Sequence, residues 1–380
     1  MEINELWFEN FRNLEQVHLR PEPGVNLIYG DNAQGKTNLV EGIWLLSGER
    51  SFRYGKESDL PRLQMDRETG RSRVAALVYT EGREQELELL FWPRRQVRLN
   101  GIPQSGRGAL SGKLCCVVFS PGHLALVQAG PAERRAFLDG AIGQLRPQYG
   151  KILRDYDRAL AQRGSLLRDA PRNPQLLDLL DIWDSHLIRL GGLILSARLS
   201  YLDKLEPHAA RFHQGISSGK EELELRYRPG GAGAGLIPES WQGREELEKA
   251  LGEALRQSRE EDLKSGSTGA GPHRDDLEVL INGAAARSFA SQGQQRSAVL
   301  SMKLAECEMI AETMGSQPVV LLDDVMSELD RSRRGYLLGK MGGRQVFITG
   351  CDDGILAETG AGGVYQVSAG ALTPVEKKGG

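Results

Sequence analysis

The chain has 380 residues, 40% of them hydrophobic and 26% charged, with a formal net charge of −3 at pH 7. That length can bury a full core and divide into two lobes; the charge gives no global attraction for nucleic acid, so any DNA contact must use a local basic surface and weaken strongly with salt. No apolar run reaches the ~18 residues of a membrane span, and the opening "MEINELWFEN" is acidic where a secretory signal is basic and then apolar.

Up to about Pro121 strand signals dominate. "EINELWFENF", "LEQVHLR" and "VNLIY" are short, apolar-rich and separated by turn residues. A Gly-rich loop follows, then a helix through "TNLVEGIWLLSG". Further strands are expected at "RVAALVYT", "QELELLFW", "RQVRLNG" and "LCCVVFS", with Asn100-Gly101 as turn chemistry.

From about Pro131 to Gln257 the period becomes helical. Leu176, Leu180, Trp183, Leu187, Leu190, Ile194, Ala197 and Tyr201 step alternately by four and three, a heptad seam along one side of a long helix. Tyr149, Ile152, Leu153, Tyr156 and Leu160 form a shorter stripe behind Pro147, and "RDAPRNPQ" separates the two. An antiparallel hairpin with arms on the order of 30–40 Å is predicted, its stripes packed as core. A strand-like "ELELRYR" and a polar helix, "ESWQGREELEKALGEALRQSREEDL", come next, and "KSGSTGAG" at 264–271 reads as a joint or mobile loop. Beyond it, "QPVVLLDD" and "GRQVFITG" are wholly apolar runs of the kind buried in a parallel sheet. The two ends of the chain thus share a style that the middle lacks. Cys115, Cys116, Cys307 and Cys351 show neither CxxC spacing nor a disulfide framework, which points to a reduced, cytoplasmic compartment.

Residues 30–37 match G-x-x-x-x-G-K-S/T without deviation, after a strand and before a helix, the context in which such a loop holds nucleotide phosphates. The glycines let backbone N–H groups turn inward, and the helix N-terminus adds positive potential. Lys36 is placed to neutralise β/γ-phosphate charge and the Thr37 hydroxyl to ligate Mg²⁺. The complementary part is an apolar strand ending in a carboxylate, and "VVLLDD" supplies it. Asp323 is placed to hold Mg²⁺, directly or through water, and Asp324 to orient or deprotonate the attacking water; a strand end capped by two acids is the plainer alternative. In "SFASQGQQRSAVLSMKLAE", residues 288–306, Ser291 and the Gly293 amide open a long helix and make a second anion site. One chain holds one phosphate loop, so this element is surplus unless it serves the nucleotide of another molecule. A two-fold homodimer would then sandwich two ATP molecules between its subunits. A polar helix cap with no phosphate is the other reading of the same residues.

In this order "NFRNL", "GDNAQGKTN", "SQGQQR" and "LLDDVMSELD" resemble the ABC/SMC class of ATPase heads, and more closely the RecF family of bacterial recombination mediators. "VVFSP" and "LALVQAGPAERRAFLD" within 117–139, and "GPHRDD" at 271–276, are similar to RecF blocks that transporter ATPases lack, and the resemblance runs over essentially the whole chain. It implies an α/β fold, an ABC/SMC-type head with a mixed sheet and a P-loop, interrupted by a mainly helical second lobe. The ATP-binding lobe would comprise 1–125 and 270–380, with the P-loop at 30–37, the signature at 291–296 and Walker B at 319–324; the helical lobe would span 126–269, with its hairpin at about 147–206.

Residue by residue, the resemblance implies that Arg12 lies near the phosphates and that Gly30, Asp31, Asn32, Ala33, Gln34, Gly35, Lys36, Thr37 and Asn38 bind ATP. Ser291, Gln292, Gly293 and Gln294 would close on the opposite ATP, Thr37 and Asp323 would hold the metal, Lys36 and Asp324 would be catalytic, and residues 327–330 would cross the dimer interface. Thr349 falls where transporter ATPases keep a switch histidine, and Gly122-His123 stands where the family usually has an acidic pair. The implied function is a weak ATPase of DNA repair, recombination and replication restart, linked to the SOS response, cytoplasmic and nucleoid-associated. ATP would drive homodimerisation on double-stranded DNA near gaps or junctions, slow hydrolysis would release it, and RecR with RecO would promote RecA loading on the single strand.

DNA has only indirect support in the residues. Arg62, Arg71 and Arg73, with Arg94, Arg95, Arg98, Arg134 and Arg135, are scattered candidates for phosphate contacts, and a solvated charged surface is the default for most of them. His273 and Arg274 could touch DNA or phosphate, or pin a turn. Two rival classes stand beside this reading. A transporter-type ATPase would couple the same cycle to a membrane partner, against the missing switch histidine. A small-molecule phosphotransferase would work as a monomer and leave "SQGQQR" without a task.

Overall fold

Short strands that are apolar at every position are buried on both faces, and here they share one sheet. In the computed structural model of the chain, which describes residues 1–53, 55–232, 243–351 and 359–375, β3 (Val25–Tyr29), β8 (Cys116–Phe119), β12 (Val319–Leu322), β13 (Val346–Gly350) and β14 (Gly363–Ser368) run parallel in the order β14-β3-β13-β12-β8. A last strand, β15 (Ala371–Pro374), closes the β14 edge antiparallel. Because side chains alternate along a strand, this sheet divides two cores: Val319, Leu321 and Phe347 face one, Val320, Leu322, Val346 and Ile348 the other.

The first core is covered by an antiparallel sheet in the order β2-β1-β4-β5-β6-β7. Its strands are β1 (Glu2–Phe11), β2 (Leu14–Leu19), β4 (Ser72–Thr80), β5 (Arg83–Trp92), β6 (Gln96–Leu99) and β7 (Ile102–Gln104). The helix α1 (Lys36–Leu46) is wedged between the two sheets, with Leu39, Val40, Ile43, Leu45 and Leu46 fully buried. Asn100 and Gly101 make the expected turn, with φ of 52° and 75°.

The second core is mainly helical. Against the other face of the parallel sheet lies α8 (Gln292–Met314), whose middle turns are buried on all sides. Around it pack α3 (Pro131–Leu145), α4 (Tyr149–Asp169), α5 (Leu177–Ile216) and α6 (Arg244–Ser265). Three short helices, α2 (Pro121–Leu124), α7 (Ala286–Phe289) and α9 (Arg331–Gly339), flank these. A small sheet pairs β10 (Asp276–Ile281) with β9 (Leu223–Arg228) and β11 (Ala284–Ala285), so it joins residues from both sides of position 270. The first residues of the stretch expected to form the polar helix, 239–242, lie outside the described residues.

The hairpin is antiparallel, with Arg163 of α4 bonded to Asp184 of α5 at 2.5 Å and to Asp262 of α6 at 2.7 Å. Its first arm matches the expected length and its second exceeds it. The first has 21 residues, about 30 Å, but the second has 40, about 60 Å, and runs through Pro207 to Ile216. An internal proline costs about 3 kcal/mol in a free helix; burial of Leu205, Ala209 and Phe212 on either side offsets it. The heptad seam is core, with Leu180, Leu187, Leu190, Ile194, Ala197 and Tyr201 all buried. Residues 264–265 are the end of α6, and 266–271 are a packed turn rather than a loose joint: Thr268 and Ala270 are buried, and the Gly269 amide donates to Asp262 at 2.8 Å.

Gly42 shows how tightly α1 is held. A Cβ there would lie 2.3 Å from the ring of Phe8, itself 1% exposed. Gly42→Ala should therefore destabilise the protein by about 1–3 kcal/mol, although alanine is the better helix former by about 1 kcal/mol. Chemical denaturation of the two proteins checks the sign.

Candidate functional site

The loop 30–35 leaves β3 at the C-terminal edge of the parallel sheet, where α/β proteins bind ligands. Gly30 (φ 154°) and Gly35 (φ 123°) adopt backbone angles closed to other residues, and both are also crowded. A Cβ at Gly30 would meet the Val367 carbonyl at 2.3 Å, and one at Gly35 the Asn13 side chain at 2.8 Å. The first turn of α1 carries no acidic residue, so its free amides and dipole make an anion cradle. Lys36, largely buried, folds back on the loop and donates to the carbonyls of Gly30 at 2.5 Å and Asp31 at 2.9 Å. Gln34 is fastened from behind, its side chain accepting from the Ala369 amide and its carbonyl from Gly370 at 3.1 Å.

Strand order places the acids. Since β13 lies between β3 and β12, the end of β13 separates the phosphate loop from the end of β12. Thr349 occupies that position. One oxygen of Asp323, Oδ1, accepts from the Thr37 hydroxyl at 3.0 Å and from the Thr349 hydroxyl at 2.9 Å. The Thr349 oxygen in turn accepts from the Asp324 amide, also at 2.9 Å. Asp324 adopts φ 53°, a left-handed angle that a non-glycine residue holds only where its surroundings enforce it. Burial raises the Asp323 pKa above its ordinary value; the Thr349 and Thr37 hydroxyls pull it down, Asp324 pushes it further up, and Arg53 again lowers it.

Arg12 is close to the loop but committed elsewhere. Its guanidinium grips buried Glu41 of α1 at 2.7 and 3.0 Å and donates to the Asp59 carbonyl at 3.1 Å. The next residue, Asn13, makes the direct contacts, donating to the Ala33 carbonyl at 3.3 Å and accepting from Asn38 at 2.6 Å. Arg53 donates to Asn38 at 2.5 Å and lies 3.5 Å from Glu41.

The chain matches an AAA domain family over residues 5–91. It is 37% identical over 359 residues to the DNA replication and repair protein RecF of Acetivibrio thermocellus, covering 94% of this chain and 95% of that one. To RecF of Caldanaerobacter subterraneus it is 40% identical over 349 residues, covering 92% and 94%. The chain belongs to the RecF family. A solved structure described as the recombination mediator protein RecF with ATPrS in the RecFOR pathway superposes with a TM-score of 0.90 at 36% identity, covering 98% of each chain. An SMC head domain from Pyrococcus furiosus matches with a TM-score of 0.53 at 15% identity, covering 98% and 96%, a likeness of fold. The fold is thus that of an ABC/SMC-type head.

In this RecF-family chain Ser291 caps α8, and among the described residues the side-chain bonds of Ser291 and Gln294, both expected in the signature, go to each other and to Glu221, none to the loop at residues 30–38. Ser291 and Gln292 are exposed. Gly122-His123 presents no carboxylate: the Ser120 hydroxyl caps α2, and His123 Nδ1 lies 3.1 Å from it. Burial first, then nearby Lys303, pushes the His123 pKa down to about 3, so the ring is neutral. The "GPHRDD" turn is pinned throughout. His273 bonds Tyr156 at 2.8 Å and the Thr268 carbonyl at 3.1 Å, Arg274 donates to that same carbonyl, and Asp275 accepts from Tyr227 at 2.8 Å.

The arginines proposed for DNA are largely paired. Arg71 and Arg73 share Glu88, at 2.5 and 3.0 Å, and Arg98 approaches it at 3.4 Å; Arg62 pairs with Glu15 at 3.0 Å. Arg134 is a correction: it is 4% exposed and grips Asp276 with two bonds of 2.7 Å, which removes it from any surface. Sequence reasoning missed Asn13, Arg53 and Glu41. Asn13 had a signal, its place beside Arg12 in "NFRN"; the other two had none short of the fold.

A carboxylate whose folded pKa is raised opposes folding when ionised. The opposition is absent below its unfolded value and grows as pH rises through the folded one. Asp323→Asn should therefore raise the thermal midpoint of the nucleotide-free protein at pH 7, with the gain vanishing as pH falls toward ~4. Calorimetry across that range checks it.

Proposed function

We propose that this chain is an ATP-dependent DNA-binding protein of recombinational repair and replication restart, in which ATP completes a dimer and its hydrolysis undoes it. The observation that carries the reading is that, among the described residues, two elements suited to phosphate share no hydrogen bond within one chain: a loop wired to two acids through Thr37, Asp323 and Thr349, and an exposed, capped helix start at Ser291 that none of those bonds reaches. Two copies related by a two-fold axis would bring each helix start to the other's loop.

On this reading the loop amides and α1 hold the phosphates, and Lys36 swings from the Gly30 and Asp31 carbonyls onto them. Thr37 in the first turn of α1 and Asp323 just past β12, hard oxygen donors 3.0 Å apart, fit Mg²⁺, which would supply charge neutralisation at the phosphates. Among the described residues no group of three or more His, Cys, Asp and Glu could hold a metal alone, so the remaining ligands would be phosphate oxygens and water. Asp324 orients and deprotonates the attacking water, its backbone held by Thr349. Ser291 and the amides of 292–294 close on the partner's nucleotide.

The names of the RecF relatives, DNA replication and repair proteins, support a DNA partner, and the solved structure described as RecF in the RecFOR pathway supports RecR and RecO as partners; RecA loading on the single strand would be the outcome. Duplex DNA at gaps or junctions would lie across the closed dimer. Arg71, Arg73 and Arg98 around Glu88 add one modest basic patch. Among the described residues no helix is long and apolar enough to cross a membrane.

Lys36→Ala should abolish ATP binding, measured by equilibrium dialysis. Ser291→Arg should keep monomer ATP affinity within about two-fold while blocking dimerisation, since a side chain that long fills the space meant for a phosphate. Asp324→Asn should bind ATP and dimerise but hydrolyse at least ~100-fold more slowly and hold duplex DNA longer. Faster DNA release from that variant would contradict the timer.

A further inference from the structure

The first turn of α8 carries more side-chain bonding than a helix cap requires. Ser291 and Gln294 form a reciprocal capping box, at 3.3 and 2.8 Å. That box uses the Gln294 carbonyl oxygen and leaves its amide over. The amide donates to Glu221 Oε1 at 3.0 Å. Glu221 lies just beyond the end of α5, and its other oxygen is bound at 3.1 Å by Nε2 of His213, a fully buried residue in the last turn of α5. The second ring nitrogen faces the Ser301 hydroxyl of α8 at 3.4 Å. Burial keeps the His213 pKa below its ordinary value, against the opposing pull of Glu221 and of the Ser297 carbonyl; toward the carboxylate of Glu221, Nε2 is the donor.

We propose that Glu221, held by His213, is a positioning residue for the half of the nucleotide pocket that each chain offers to a second copy, acting through Gln294. The inference rests on the composite-site reading given above. With Gln294 fixed from both ends, Ser291 and the amides of 292–294 keep one direction before the second copy arrives, and less order has to be imposed during association. The placement also ties the signature to the end of the longer hairpin arm.

Charge gives the proposal its sign. A carboxylate beside a helix N-terminus competes with an incoming phosphate, so what recommends Glu221 is its acceptor oxygen and not its charge. A glutamine there keeps an acceptor oxygen for Gln294 and adds an amide that can turn toward the His213 ring.

Light scattering at increasing ATP, with monomer ATP affinity measured in parallel, tests this. Glu221→Ala should raise the ATP concentration for half-maximal dimerisation about ten-fold, the loss of one hydrogen bond to a charged group, with monomer affinity unchanged. Glu221→Gln should stay within about three-fold of wild type. Glu221→Met, which fills the same space with no acceptor, should lose about ten-fold as well, so its contrast with Glu221→Gln decides the matter even where Glu221→Ala fails to fold. Wild-type behaviour of Glu221→Ala, or a Glu221→Gln as defective as Glu221→Met, overturns the proposal and leaves the composite site standing. A wild-type protein that stays monomeric at every ATP concentration takes both down.

Discussion

A single carboxylate oxygen, Oδ1 of Asp323, accepts from hydroxyls on two other segments, Thr37 at the start of α1 and Thr349 at the end of β13. The sheet order makes this possible and the bond makes the sheet order useful. Were β13 not seated between β3 and β12, Thr349 could not reach both acids, and the phosphate loop would face an unconnected strand end. The N-terminal and C-terminal stretches of the chain are therefore one functional unit, whatever is inserted between them.

That arrangement costs stability. A buried acid with a raised pKa, a left-handed aspartate and a lysine folded onto its own loop are each less comfortable than an apolar alternative. Such concentrated discomfort marks places where geometry serves chemistry rather than folding. By contrast, several other buried charges are paired within the fold: Arg163 with Asp184 and Asp262, Arg198 with Asp139, Arg134 with Asp276. They stitch the hairpin, α3, α6 and β10 together.

Much of this was legible in the sequence, for physical reasons. The apolar runs "VVLLDD" and "GRQVFITG" read as strands buried on both faces, and the four-three spacing from Leu176 to Tyr201 as a helix packed in the core, and most of both is buried so. Where local signals compete with distant packing, reading failed. Pro207 argues for a helix end, and the core around Phe212 overrules it. The glycines of 264–271 argue for mobility, and bonds to Asp262 hold them. At the site, the loop and the acid pair follow fixed spacing and were visible. Arg53, Glu41 and Glu221 reach their partners only through the fold, and no spacing announces them.

The claim at the centre is that each pocket is shared between two chains. Mixing two defective proteins tests it most directly: Lys36→Ala, which retains an intact signature, and Ser291→Arg, which retains an intact phosphate loop. Neither should dimerise with ATP alone. Their mixture should form a heterodimer holding one ATP at the single intact composite pocket, seen by analytical ultracentrifugation with labelled nucleotide. A mixture that stays monomeric, while the wild-type protein dimerises under the same conditions, would contradict the shared pocket.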